Sequence, residues 1–214
     1  MSPPIRSGAE TPYTELCAAP VPTPTYGNNG TFTIACSTRI SATPSTALEV
    51  VLDAPNYPSW NRFCRKCTID GQPPASGDGD DDNKLRLGTK FTLHVHLDPE
   101  SDDSPSRPTA CQVNILEPVN HGAGRRGWRV TWGPRGSLLM PEWLLRSERV
   151  QEFVEIPGGS SPEIEYFCWE TFYGPLAHVV RLTVGAKVQK GFEVWMDGLK
   201  GRAEELDQKK REGK

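Results

Sequence analysis

The chain has 214 residues, a formal charge of −3 and an isoelectric point of about 5.9. This length suffices for one domain with a substantial core, and the slightly acidic balance argues against nucleic-acid binding, which favours a basic face. No apolar run of about 18 residues is present, so we expect no transmembrane helix. Residues 1–20 also lack the apolar region of a secretory signal, which predicts a cytoplasmic protein.

The chain divides by composition into a tail, a domain and a short end. Residues 1–30 are rich in Pro, Thr, Ala and Gly and show neither helical nor strand periodicity, so we predict a disordered tail. Residues 31–208 are expected to form one folded domain. Residues 209–214 form a charged C-terminal tail.

Seven strands and two short helices are predicted in the first part of the domain. A strand over 31–40 precedes two short helices, at 47–52 and within 53–60, where two prolines limit the second to a turn or two. Six further strands follow, separated by turns and by two longer loops, at 72–83 and 99–108. Their predicted ranges are 66–70, 88–98, 110–119, 128–133, 144–156 and 163–173.

A long helix is predicted over 176–206, after the break at Gly174-Pro175. Apolar residues recur there at steps of three or four, which is the spacing of one helical face. They are Leu176, Val180, Val184, Val188, Phe192, Trp195, Leu199, Ala203 and Leu206. A run of strands with helices at its ends indicates an α+β fold. A curved antiparallel sheet of about seven strands wrapped around this helix would leave a cavity if the wrap were incomplete.

Three segments resemble the SRPBCC superfamily, the polyketide cyclase/dehydrase and lipid-transport group that includes START domains. Residues 40–63 end in a Y-x-x-W-N element, and residues 147–153 read Ser-Glu-Arg-Val-Gln-Glu-Phe. Residues 169–176 are similar to the E-x-F-x-G-x-L junction between the last strand and the C-terminal helix. The resemblance implies a helix-grip fold over about residues 31–206.

The resemblance also implies a function. Proteins of this group hold lipids, sterols, quinones or polyketides in a hydrophobic cavity between sheet and helix. We therefore expect a protein that binds an apolar small molecule, without a cofactor and without nucleic acid. The alternative is a polyketide cyclase or dehydratase that uses the same pocket.

Large aromatic side chains are the candidate ligand-binding residues, because such rings line pockets as well as cores. The candidates are Tyr57, Trp60, Trp128, Trp132, Trp143, Trp169 and Trp195. Trp143 and the apolar run 138–140 fall in a turn region. Such a patch would form a lid or a lip that contacts a membrane transiently.

Glu170, His178 and Arg181 are the candidate catalytic residues. Glu170 lies on the last strand, ahead of the long helix, and the other two fall in the first turns of that helix. A carboxylate, an imidazole and a guanidinium at a cavity mouth could polarise a carbonyl group or transfer a proton. The alternative is a salt bridge that only fixes the helix to the sheet.

Cys64-x-x-Cys67, together with His94 and His96, is a candidate metal or redox site. Two cysteines and two histidines could bind zinc, and a C-x-x-C can be redox-active. However, this one enters a strand rather than a helix, and Phe91, Leu93 and Val95 form the more apolar face of the strand that carries the histidines. We therefore predict that the histidines face outward, that no metal is bound and that the six cysteines are mostly reduced.

Overall fold

The structure, a computed structural model, describes residues 12–17, 19–74, 81–138, 140–159 and 161–213. Within these ranges the chain forms three α-helices and eight strands. The helices are α1 (Pro44–Leu52), α2 (Tyr57–Trp60) and α3 (Ala177–Glu212). The strands are β1 (Tyr13–Cys17), β2 (Phe32–Ile40), β3 (Cys64–Gly71), β4 (Lys90–His96), β5 (Ser106–Asn120), β6 (Arg126–Pro134), β7 (Arg146–Glu155) and β8 (Ile164–Tyr173).

The strands form one antiparallel sheet in the order β1-β2-β8-β7-β6-β5-β4-β3. From β3 to β8 each strand pairs with the next one in the chain, and β2 pairs with β8. The register places Cys36 of β2 opposite Cys168 of β8, and Arg149 of β7 opposite Glu170 of β8. The order of elements is the predicted helix-grip arrangement.

Helix α3 packs across the inner face of this sheet. The second half of the predicted apolar stripe is buried, at Phe192, Trp195, Leu199 and Ala203. The first half is only partly buried. The helix also continues to Glu212 through most of the predicted charged tail. Just before that tail, the carboxylate of Asp207 accepts a hydrogen bond from the backbone N–H of Thr43 at 3.1 Å.

The helices before β3 close one end of the core. The Thr43 hydroxyl caps α1 by accepting a hydrogen bond from the backbone N–H of Thr46 at 3.2 Å, and Pro44 follows at the first helical position. The hydroxyl of Tyr57, the first residue of α2, donates to the Val51 carbonyl at 2.7 Å. This bond satisfies a polar atom that is otherwise surrounded by apolar side chains.

The N-terminal region differs from its predicted disorder. Residues 13–17 form the edge strand β1, and residues 19–27 cross the outer face of the sheet. There the Thr171 hydroxyl donates to the Val21 carbonyl at 2.6 Å and Trp169 Nε1 donates to the Pro22 carbonyl at 3.2 Å. Local periodicity does not reveal this segment, because distant strands hold it in place. Residues 1–11 of the predicted tail lie outside the described residues.

Within the described ranges, no helix combines the length and the apolar character needed to cross a membrane.

Candidate functional site

A cavity of about 250 Å³ lies between α3 and the inner face of the sheet. Its wall is mainly apolar and includes Phe63, Leu93, Val95, Trp132, Phe172 and Val188. A cavity of about 150 Å³ is large enough to bind benzene. This cavity therefore has room for a larger apolar molecule.

The alternation of β4 explains the apolar wall on that side. Leu93 and Val95 line the cavity, whereas the side chains between them point to the other face of the sheet. His94 Nδ1 lies 3.1 Å from Ser106 Oγ, and His96 Nδ1 lies 2.7 Å from the Ser104 carbonyl oxygen. The two histidines thus face outward, as predicted.

The two cysteines and two histidines of the candidate zinc site do not come together in the structure. Cys64 and Cys67 lie opposite Val95 and Leu93 in the register, so both thiols are on the inner face while the histidines are on the outer face. Burial raises the pKa of Cys64 to about 12 and also raises the pKa of Cys67. Among the residues that the structure describes, no group of three or more His, Cys, Asp or Glu side chains could hold a metal ion.

One part of the cavity wall is polar and is built by β7 and β8. Ser147 and Arg149 occupy successive inward-facing positions of β7, and Glu170 faces inward from β8. The Ser147 hydroxyl donates a hydrogen bond to Glu170 Oε1 at 2.6 Å. Because these strands lie near the middle of the sheet, the three polar groups are held on a rigid part of the fold.

Arg149 is the most unusual of these residues, since it is only 4% exposed. Its guanidinium carbon lies 4.1 Å from the centre of the Trp195 ring and 4.2 Å from that of Phe192. Nε donates to Cys168 Sγ at 3.3 Å, and Nη2 has no hydrogen-bond partner among the described residues. Two aromatic rings therefore lie against this buried positive charge in cation–π contact.

Glu170 is a carboxyl group in the same wall. Burial raises its pKa, while the hydrogen bond from Ser147 and the positive charge of Arg149 act in the opposite direction and do not cancel the effect. The group therefore keeps its proton to a higher pH than an exposed glutamate. In that form it can donate a hydrogen bond or a proton.

A second polar layer lies further along the same strands. The Tyr166 hydroxyl donates to Gln151 Oε1 at 2.6 Å. Burial raises the pKa of the Cys168 thiol, but the hydrogen bond from Cys36 and the charge of Arg149 outweigh this effect and lower it to about 7. The polar groups of β7 and β8 thus continue from the cavity wall into the core.

The predicted aromatic residues separate into several groups. Trp132 lines the cavity. Tyr57, Trp60 and Trp195 pack edge to face, with ring centres 5.2 to 5.5 Å apart, in the core beside it. Trp195 also lies 6.1 Å from Trp132. Large rings therefore fill much of the space between sheet and helix.

The other three tryptophans do not belong to the cavity wall. Trp128 is partly buried against the core. Trp169 is on the outer face, beneath the N-terminal segment. Trp143 is 69% exposed, in the loop before β7.

Of the three predicted catalytic residues, only Glu170 is among the described residues that line the cavity. His178 is exposed, and Arg181 is half-buried on the first turns of α3. Their position follows from the rotation of the helix, which presents Val188 to the cavity instead. Sequence reasoning missed Ser147 and Arg149, although their spacing of two residues in a strand that contains Gln151 and Phe153 could have indicated one inward face.

A comparison of sequences identifies the family. Oxopyrrolidines biosynthesis cluster protein O of Penicillium oxalicum (strain 114-2 / CGMCC 5302) is 32% identical over 168 residues, which cover 76% of this chain and 82% of that protein. The chain belongs to the same family as that protein. The sequence matches no family model.

Solved structures confirm the fold predicted from the resemblance. A START superfamily protein from Mycobacterium smegmatis has a TM-score of 0.52 at 16% identity, over 81% of this chain and 98% of that one. A hypothetical protein from Helicobacter pylori has a TM-score of 0.51 at 13% identity, over 79% of this chain and 86% of that one. At these identities the likeness concerns the helix-grip fold alone.

Proposed function

We propose that the protein binds an apolar small molecule, a lipid-like, quinone-like or polyketide-like compound, in the cavity between the sheet and α3. The observation that carries the proposal is a cavity of about 250 Å³ whose wall is mainly apolar but also holds a few polar side chains, among them Arg107, Arg135, Ser147, Arg149 and Glu170. This combination is typical of small-molecule sites, in which apolar contacts provide affinity and polar groups provide orientation.

The gain from apolar burial is sufficient for useful affinity. Burying about 300 Å² of apolar ligand surface contributes roughly 7 kcal/mol at about 25 cal/mol per Å². The loss of translational and rotational freedom removes a large part of this gain. We therefore expect dissociation constants in the micromolar range.

The relative in Penicillium oxalicum suggests the chemical setting. Its name assigns that protein to a biosynthesis cluster for oxopyrrolidines. A protein of the same family with a ligand cavity is suited to bind an intermediate or a product of such a pathway. We therefore place the ligand of this chain among small biosynthetic compounds rather than among bulk membrane lipids.

A pair of substitutions on β4 tests the proposal. Val95→Phe adds a ring on the cavity side, whereas His94→Phe adds the same ring on the outer face one residue earlier. With the neutral fluorescent probe N-phenyl-1-naphthylamine, we expect at least tenfold weaker binding for Val95→Phe and unchanged binding for His94→Phe. Equal binding by both variants and the unmodified protein would show that this cavity is not the site.

A second candidate function is catalysis of cyclisation or dehydration of a polyketide-like substrate. Glu170 favours it, since burial raises the pKa of this cavity-lining carboxyl and so keeps a proton available for transfer. An enzyme of this kind would lose turnover in the variant Glu170→Gln and would still bind its substrate. A binding protein would retain its ligand chemically unchanged in both forms, which mass spectrometry of the extracted ligand distinguishes.

The loop before β7 supports a role in exchange of the ligand. Leu138 and Trp143 are exposed, and Met140, also partly exposed, lines the cavity. The Leu144 carbonyl accepts a hydrogen bond from the backbone N–H of Leu176 at 3.1 Å, which fixes this loop to the start of α3. We propose that it contacts a membrane transiently, so that Trp143→Asp slows transfer of the probe to neutral phosphatidylcholine vesicles.

A further inference from the structure

We propose that Arg149 binds a negatively charged oxygen of the ligand, so that the ligand is an apolar molecule with one oxyanion rather than a neutral hydrocarbon. This inference rests on the proposed function, because it assumes that the cavity is the binding site. Beyond that function, the inference specifies that the ligand carries a negative charge and that Arg149 recognises this charge.

The first argument is the state of the guanidinium in the folded chain. Arg149 lines the cavity, is only 4% exposed, and has an Nη2 without a hydrogen-bond partner among the described residues. An arginine is charged at any physiological pH, and burying part of a charged guanidinium without a hydrogen-bond acceptor is costly. A ligand oxyanion at this wall would provide the missing acceptor for Nη2 and additional negative charge beside the guanidinium.

The second argument is that the nearby acidic groups leave Nη2 of Arg149 without a hydrogen-bond acceptor. Glu170 lies opposite Arg149 in the register, yet no ion pair joins the two residues, and the Glu170 carboxylate instead accepts from the Ser147 hydroxyl. Cys168 Sγ accepts a hydrogen bond from Arg149 Nε at 3.3 Å, but no described group accepts one from Nη2. The guanidinium therefore still has unused capacity for hydrogen bonding.

The third argument is that the surroundings hold the guanidinium in place. Trp195 and Phe192 lie within 4.2 Å of its central carbon, and both rings are buried. Packing of this kind fixes the orientation of the group before a ligand arrives, which lowers the entropy loss on binding. Charge-assisted hydrogen bonds from arginine to an oxyanion are about twice as strong as neutral ones.

Three probes that share one naphthalene ring system test the inference, and the two substituted ones match in size. They are naphthalene, 2-naphthamide and 2-naphthoate, the last of which is ionised at neutral pH. We expect the unmodified protein to bind 2-naphthoate about tenfold more tightly than 2-naphthamide, measured by quenching of tryptophan fluorescence. The preference should disappear in Arg149→Gln.

Matched variants separate a local effect from a change in net charge or in folding. Arg126→Gln removes the same charge at an exposed position of β6 outside the described cavity lining, and should keep the tenfold preference. Arg149→Met keeps an unbranched, apolar side chain in place of the arginine stem and should remain folded, because replacing a buried charge by an apolar group is often neutral for stability. It should also lose the preference.

The outcomes distinguish this inference from the proposed function. If naphthalene binds but the naphthoate preference is absent, or persists in Arg149→Gln and Arg149→Met, the inference is wrong and the cavity still binds apolar molecules. If none of the three probes binds, both proposals fail. Loss of the preference in the Arg149 variants alone supports both.

Discussion

Arg149 and Glu170 lie opposite each other on β7 and β8 and line the same cavity, yet they do not form an ion pair. The guanidinium of Arg149 is instead placed against the rings of Trp195 and Phe192, and the carboxyl of Glu170 is bonded to Ser147. Two groups of opposite charge character are thus held separately within one wall. Under the proposed function, this separation would leave both groups able to contact a ligand.

The stability of the protein should depend on pH through Glu170. Burial raises the pKa of Glu170 in the folded chain above the ordinary value of 4.5, which applies to the unfolded chain. Between the unfolded and the folded pKa, the folded chain therefore binds more protons than the unfolded chain. Stability from this group is therefore fully present below about pH 4 and is lost as the pH rises through the folded value. Glu170→Gln should become progressively more stable than the unmodified protein over this interval, by about 1.4 kcal/mol for each unit of displacement.

Urea unfolding at several pH values between about 4 and 8 measures this difference. Glu155→Gln, at the exposed end of β7, is the matched control and should show a smaller dependence. A constant difference between Glu170→Gln and the unmodified protein across the interval would contradict the prediction.

Two buried threonines should respond oppositely to replacement by valine. The Thr171 hydroxyl bonds the Val21 carbonyl at 2.6 Å and the Thr33 hydroxyl at 2.7 Å. Its loss leaves buried polar atoms unpaired, so Thr171→Val should destabilise by about 1–3 kcal/mol. Thr131 is equally buried, but its hydroxyl has no partner among the described residues, so Thr131→Val should be neutral or stabilising.

Thermal and urea unfolding of the two valine variants provide the comparison. If both were destabilised equally, the hydrogen bonds between the N-terminal segment and β8 would not be the cause. Limited proteolysis adds a local measurement, since only Thr171→Val should increase cleavage within residues 19–27.

Trp195 should contribute far more to stability than Trp143. Trp195 is fully buried and lies in edge-to-face contact with Tyr57 and Trp60. Trp195→Ala should therefore lower the free energy of unfolding by about 3–5 kcal/mol. Trp143 is 69% exposed, and Trp143→Ala should change the free energy of unfolding by no more than about 0.5 kcal/mol. Similar values for the two variants would refute the assigned positions.

Two glycines of α3 should respond differently to alanine. A Cβ atom at Gly191 would overlap the ring of Phe63, whereas one at Gly201 would meet no atom within 4 Å. Gly201→Ala should stabilise by about 0.5–1 kcal/mol, since alanine favours the helix. Gly191→Ala gains the same propensity but should be destabilising overall, because displacing a buried ring costs about 1–3 kcal/mol. Phe63 lines the cavity, so Gly191→Ala should also weaken probe binding, and stabilisation by both variants would contradict this account.

Most secondary structure could be predicted from the sequence, because its signals are local. Apolar and polar residues alternate in several of the strands from β2 to β8, and turn residues mark where strands end. The spacing of Phe192, Trp195 and Leu199 indicates the buried face of α3. β1 and residues 19–27 could not be predicted in this way. Their conformation depends on hydrogen bonds to β2 and β8, which lie far along the chain.

The sequence by itself therefore determined the order of elements from β2 onward and the α+β class, because periodicity and turn residues act over a few positions. Three short segments also carried the resemblance that implies a cavity. Only the tertiary structure decided which polar groups line the cavity. The strand register brings Arg149 beside Glu170, and the rotation of α3 leaves His178 exposed. Both are set by packing between segments distant in sequence, for which a single chain carries no local signal.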